Sequence, residues 1–141
     1  MWKTEHTEVT TASPEAVWRV VADVAHWPAW NPGYTAASLD GPPETGTAGT
    51  VTLPNGMRRH FKVFDARPAA ALVIGGNALG VRQRFIHQIE PLGDGRAKVT
   101  MAATMDGLLS PVFARLFGKI IAGYNPTAVR QLIAKAEAGG A

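Results

Sequence analysis

The segment PEAVWRVVADVAHWPAWNP, Pro14 to Pro32, constrains the fold of this chain more than any other stretch. Ser13 stands where an N-cap is needed and Pro14 where a first helical residue has no hydrogen bond to lose. Val17, Val20, Val21 and Val24 recur at helical spacing, so a helix from Pro14 to about Ala25 carries one apolar stripe. Trp27, Pro28, Trp30, Asn31 and Pro32 then predict a second short helix or wide turn, because Pro32 restricts the residue before it and Gly33 follows. Upstream, Trp2 to Thr11 is rich in β-branched residues and predicts a strand. A strand, two short helices, further strands and an amphipathic C-terminal stretch describe a curved sheet wrapped on a helix, which encloses a cavity.

From Tyr34 to Gly107 the chain is cut by GPPETG (41–46), LPNG (53–56), ARPAA (66–70), GGNALG (75–80) and GDG (93–95), each holding the Gly, Pro or Asn of a tight reversal. Six strands in a meander follow, seven with the first, all antiparallel. Alternation sorts their faces. Val81, Gln83, Phe85, His87 and Ile89 point inward, as do Val99, Met101, Ala103 and Met105. In the segment from Met57 to Asp65 the inward set is Met57, Arg59, Phe61, Val63 and Asp65. From Leu108 the period changes: Ser110 and Pro111 open a helix, and Phe113, Leu116, Phe117, Ile120, Ile121 and Tyr124 form a stripe resumed by Val129, Leu132 and Ile133. Pro126 inside it removes a backbone bond, which predicts a kink near Ala122 to Pro126 supported by Gly123. Gly139, Gly140 and Ala141 are expected to fray.

With 141 residues, 46% of them hydrophobic, the chain builds one domain with a real core, and no apolar run is long enough for a membrane span. Stable membrane insertion is therefore not expected. Met1 to Glu8 lacks the apolar stretch of a secretory signal, so the cytoplasm is the expected location. There is no cysteine, hence no thiolate or Cys-based metal site. Fourteen basic against eleven acidic residues give a net charge of +3. The clusters Arg58, His60, Lys62 and Arg82, Arg84 fall on outward faces of strands, which speaks against nucleic acid as a partner.

His87 is the most informative polar residue, being surrounded on its face by Val81, Phe85 and Ile89. It is open to two roles: an acid or base near neutral pH, with Tyr124 or Arg59 as partner, or a hydrogen-bonded core residue. Arg59 either points into the cavity mouth to meet a carboxylate or enolate, or reaches water. Asp65 and Asp106 lie near strand ends and suit structural roles. The histidines at 6, 26, 60 and 87 have no metal-ligand spacing, Ser38 and Ser110 no nucleophile context, and GGNALG no phosphate-loop spacing; it reads as a hairpin loop at the cavity entrance. Neither a metal nor a cofactor is expected.

SPEAVWRVVADVAHWPAWNP, FIHQIEPLGDGRAKVTM followed by DG, and the helix opening LLSPVFARLFGKI resemble the START-like helix-grip superfamily, in particular its SRPBCC branch of polyketide cyclase/dehydrase proteins. The resemblance spans nearly the whole chain and implies an α+β fold: a seven-stranded curved antiparallel sheet wrapped on a long C-terminal helix, with two short helices after the first strand. It implies a pocket lined by Phe61, Val63, Leu72, Ile74, Phe85, His87, Val99, Met101, Phe113, Leu116, Phe117, Ile120 and Tyr124. These side chains either line space or meet and fill the core; Ala70, Ala71, Ala103 and the residues from Gly75 to Gly80 favour space. Trp27 and Trp30 stack on a ligand or wedge the short helices against the sheet. The function expected is binding or transport of a small hydrophobic or aromatic molecule. The alternative is a cyclase or dehydratase in which His87 or Tyr124 moves protons and Arg59 steadies negative charge. A module acting on a protein or membrane surface would need an exposed apolar patch, of which the charged outer faces give little sign.

Overall fold

A computed structural model describes residues 2–78 and 80–139. The chain runs through β1 (Trp2–Thr10), α1 (Pro14–Ala22), a 3-10 helix (Val24–Ala29), β2 (Ala36–Leu39), β3 (Ala48–Thr52), β4 (Arg58–Arg67), β5 (Ala71–Ala78), β6 (Val81–Pro91), β7 (Ala97–Asp106) and α2 (Ser110–Gly139). The seven strands form one antiparallel sheet in the order β1-β7-β6-β5-β4-β3-β2. The expected α+β architecture, a meander closed by the first strand with a long C-terminal helix, is the observed one. Gly140 and Ala141, two of the residues expected to fray, lie outside the described residues. No helix among the described residues is long and apolar enough to cross a membrane.

Local chemistry sets the entry to the sheet. The Ser13 hydroxyl accepts from the Ala16 amide at 3.1 Å, the N-cap bond that holds the first turn of α1 and is worth about 1 kcal/mol. Val17 and Val21 face inward and are fully buried, and the Trp27 indole donates to the Val21 carbonyl at 2.8 Å, fixing the 3-10 helix under α1. Trp27 and Trp30 are fully buried, with centroids 6.2 Å apart in an edge-to-face pair. They wedge the short helices against the sheet, one of the two roles open to them.

Register places Gln83, Phe85, His87 and Ile89 of β6 opposite Met105, Ala103, Met101 and Val99 of β7, so the inward faces derived from alternation coincide. Two expectations are corrected. A bulge between Val63 and Asp65 inserts Phe64 into β4, so Ala66 rather than Asp65 turns inward opposite Leu72, and Asp65 pairs with Arg67 at 3.0 Å on the surface. The segment 75–80 is not a loop either: β5 runs on through Gly75, Gly76 and Asn77 to Ala78, and Gly80, with φ of 73°, serves the reversal, while Leu79 lies outside the described residues. Gly75 is required by packing, since a Cβ there would run into the Gln83 carbonyl oxygen of the neighbouring strand.

α2 runs unbroken through Pro126. Its second half buries Ala128, Val129, Leu132, Ile133 and Ala136 against β1, β7 and α1, and Glu137 accepts hydrogen bonds from the hydroxyls of Thr10 and Thr11 at 2.7 and 3.2 Å. Its first half is different. Gly118 rests on the Trp2 indole, while Leu108, Leu109, Val112, Leu116, Phe117 and Ile120 are exposed. An apolar patch therefore does exist on the surface, contrary to the expectation from the strand faces, because it lies on the helix and the loop before it.

Candidate functional site

Between the concave face of the sheet, the loop after the 3-10 helix, the β3–β4 turn and the first half of α2 lies a cavity of about 380 Å³. That volume falls within the range of small-molecule sites, roughly 300–1,000 Å³. Its walls are mainly apolar: Val51, Leu53, Met57, Phe61, Ile74, Phe85, Met101, Phe117, Ile120 and Ile121. The polar residues along it are Asn31, Tyr34, Asn55, Arg59, His60, Gln83, His87, Tyr124 and Asn125, and no carboxylate side chain is among the lining residues.

Of the residues expected around the pocket, Phe61, Ile74, Phe85, His87, Met101, Phe117, Ile120 and Tyr124 are on the wall, with Arg59. Five are not. Val63, Leu72 and Val99 are inward but sit toward the end of the sheet that the second half of α2 and the Trp residues close, so they are buried in the solid core. Phe113 lies one turn before Phe117 and packs tilted against it at 5.8 Å, and Leu116, next to Phe117 but on another face of α2, is 63% exposed. The sheet thus has both a filled end and an open end, where sequence alone left filling and space as alternatives.

His87 is 3% exposed. In register opposite Leu72, its Nδ1 lies 3.1 Å from the Leu72 carbonyl oxygen. A carbonyl only accepts, so Nδ1 carries the hydrogen and Nε2 keeps the lone pair. The ring packs against Trp27 at 5.6 Å and edge-on to Trp30 at 6.3 Å. Burial in this aromatic cage pulls its pKa down from 6.5 to about 4, the Leu72 bond opposing only in part. The imidazole is neutral at neutral pH and offers the cavity an acceptor. Its partner is a backbone carbonyl and not Tyr124 or Arg59, because the antiparallel register sets that carbonyl beside the ring.

The donors are arranged around it. Arg59 is half-buried and gives one N–H to the Gln83 amide oxygen at 3.2 Å. Tyr34 stacks on Trp27 at 5.8 Å, and burial pushes its phenol up to about 12, so it too stays neutral. Asn31 accepts from the Gly33 amide at 2.9 Å, a turn that Gly33 permits to lie against Tyr124. Asn125 is 7% exposed, and among the described residues its Nδ2 has no hydrogen-bond partner. An unpaired buried donor costs about 1–3 kcal/mol, and this one is closed off from the open space although Asn125 borders the cavity. Trp30 Nε1 is also unpaired but lies in the core and not on the wall.

Asp106 pairs with Arg82 at 3.2 Å on the surface and takes no part in the cavity. Among the described residues no three His, Asp or Glu side chains converge as a metal site. Sequence reasoning missed Asn31, Tyr34, Leu53, Met57, Gln83, Ile121 and Asn125. Gln83 and Met57 were legible as inward from alternation, and Ile121 as part of the α2 stripe; nothing in the local pattern marks Asn125.

The chain matches, over residues 1–138, the family described as polyketide cyclase / dehydrase and lipid transport. No curated protein matches it by sequence. Among solved structures, the Zhui aromatase/cyclase from Streptomyces sp. R1128 superposes with a TM-score of 0.75 at 18% identity, covering 99% of both chains. Norcoclaurine synthase from Thalictrum flavum, in complex with dopamine and hydroxybenzaldehyde, gives 0.74 at 17% identity over 99% of this chain and 88% of that one. The di-domain ARO/CYC BexL from the BE-7585A biosynthetic pathway gives 0.71 at 20% identity over 97% of this chain; the chain spans about half of that protein, 47%. At such identities the likeness is one of fold.

Proposed function

Because the chain belongs to the polyketide cyclase/dehydrase and lipid transport family, we propose that its cavity binds a small hydrophobic or aromatic molecule bearing an oxygen acceptor. The observation that carries this reading is a mainly apolar cavity of about 380 Å³ with the Arg59 guanidinium among its few polar groups. Apolar surface supplies affinity in proportion to the area removed from water, and a few placed polar groups fix orientation. Arg59 meets an acidic or enolised oxygen, and the His87 Nε2 lone pair a ligand hydroxyl.

Native mass spectrometry of protein purified gently from its own host, followed by denaturing extraction, tests this. A stoichiometric hydrophobic compound with oxygen functions is expected. A bare mass, together with no shift in melting temperature across a diverse hydrophobic library, would overturn the reading.

A second reading is supported by one pairing: a neutral imidazole and a guanidinium on the same wall. In a cyclase, His87 Nε2 removes a proton from the carbon between two carbonyls, and Arg59 holds the negative charge that passes to oxygen. A base with a pKa near 4 is weak, which favours carriage over catalysis. Turnover of a polyketide-like substrate that disappears in His87→Ala or Tyr124→Phe would establish the enzyme; binding without turnover that survives both would establish the carrier.

A further inference from the structure

We propose that the first half of α2, with the loop before it, docks this protein on the surface of an anionic lipid bilayer. Most of the large apolar side chains exposed among the described residues fall within this stretch: Leu108 at 91%, Val112, Leu116, Phe117 and Ile120, with Leu109 beside them. Val112, Leu116 and Ile120 recur every fourth residue of α2 and make one ridge, with Leu108 exposed in the turn before it. Arg115 and Lys119, both exposed, follow the same spacing one column away. Between Asp106 and Glu137 the chain has no acidic residue, and Asp106 is paired with Arg82.

This is the pattern of a helix lying in a membrane interface: aliphatic side chains enter the acyl boundary while cations beside them reach anionic headgroups. The charge argues against a second copy as occupant. A two-fold dimer through this face would set the patch against itself and bring Arg115 and Lys119 of each copy together with no local carboxylate to offset them. Phe117 and Ile120 belong both to the exposed apolar patch and to the cavity wall, so the docked face would border the cavity. The docking itself does not depend on what the cavity holds.

The test is sedimentation of the full chain, without added ligand, with vesicles of phosphatidylcholine alone and of phosphatidylcholine mixed with phosphatidylglycerol, at low and high salt. Binding to the mixed vesicles, weakened by salt, is expected. Arg115→Gln with Lys119→Gln should weaken it about thirtyfold, roughly fivefold for each cation. Leu108→Ser with Val112→Ser and Leu116→Ser should abolish it, and because these residues are exposed and off the cavity wall, the melting temperature should hold. The charge pair tests the same face even if the serine variant folds poorly. No binding to the mixed vesicles, binding indifferent to lipid charge, or binding unchanged in the charge pair would overturn the proposal. So would light scattering that shows a dimer dissociated by Leu116→Ser, which would assign the face to a second copy.

Discussion

A histidine that refuses its proton ties this cavity to pH. In the unfolded chain the His87 imidazole titrates near 6.5, and in the folded protein only near 4. Below pH 6.5 the unfolded state gains a proton that the folded state declines, so stability is complete above that value, declines as pH falls, and levels off below about 4. The loss is on the order of 3 kcal/mol. Urea midpoints measured across this range should show it, and His87→Gln should flatten the curve. Asn125 makes the complementary prediction: Asn125→Leu removes a donor that has no partner among the described residues, so the protein should gain about 1 kcal/mol in thermal unfolding. The two residues differ in how far sequence betrays them. His87 is legible because β6 alternates cleanly. Asn125 is not, since its neighbour Tyr124 carries the visible helical stripe and nothing local tells that an asparagine one position on is buried.

Elements were legible where one period holds throughout and illegible where it changes within an element. β4 alternates until the bulge at Phe64 and then switches face, which moved Asp65 from the inside to an ion pair with Arg67; single-residue insertions leave no mark in a pattern that is only two residues long. α2 reads as one stripe although its two halves have different surroundings, the second lying on β1, β7 and α1 and the first bordering solvent and the cavity. A helical stripe states that a face is apolar, not what covers it. β5 shows the reverse error: its paired glycines suggest a turn, whereas Gly75 serves a close approach between central strands. Gly75→Ala should therefore cost about 2–3 kcal/mol, read as a lowered melting temperature, although alanine ordinarily suits a strand better than glycine.

At the scale of the molecule, the fold follows from the sequence because each strand, turn and cap agrees with the same architecture. The cavity follows less well, since alternation says which side chains face each other but not how far apart the sheet and helix stand. Met101 faces the open end, so Met101→Trp should occupy part of the space, block binding of hydrophobic probes in a fluorescence titration and leave the protein folded. The connectivity has one further effect. Among the described residues β1 (Trp2–Thr10) pairs only with β7 (Ala97–Asp106), so the pairing closes a loop of most of the chain. Closing such a loop costs entropy before any contact rewards it, which places refolding on the order of milliseconds to seconds. During synthesis β1 leaves the ribosome before the other six strands and waits longest: until β7 arrives, β1 and the edge of β6 that β7 will cover are bare and open to other chains, and speed of translation becomes a determinant of yield.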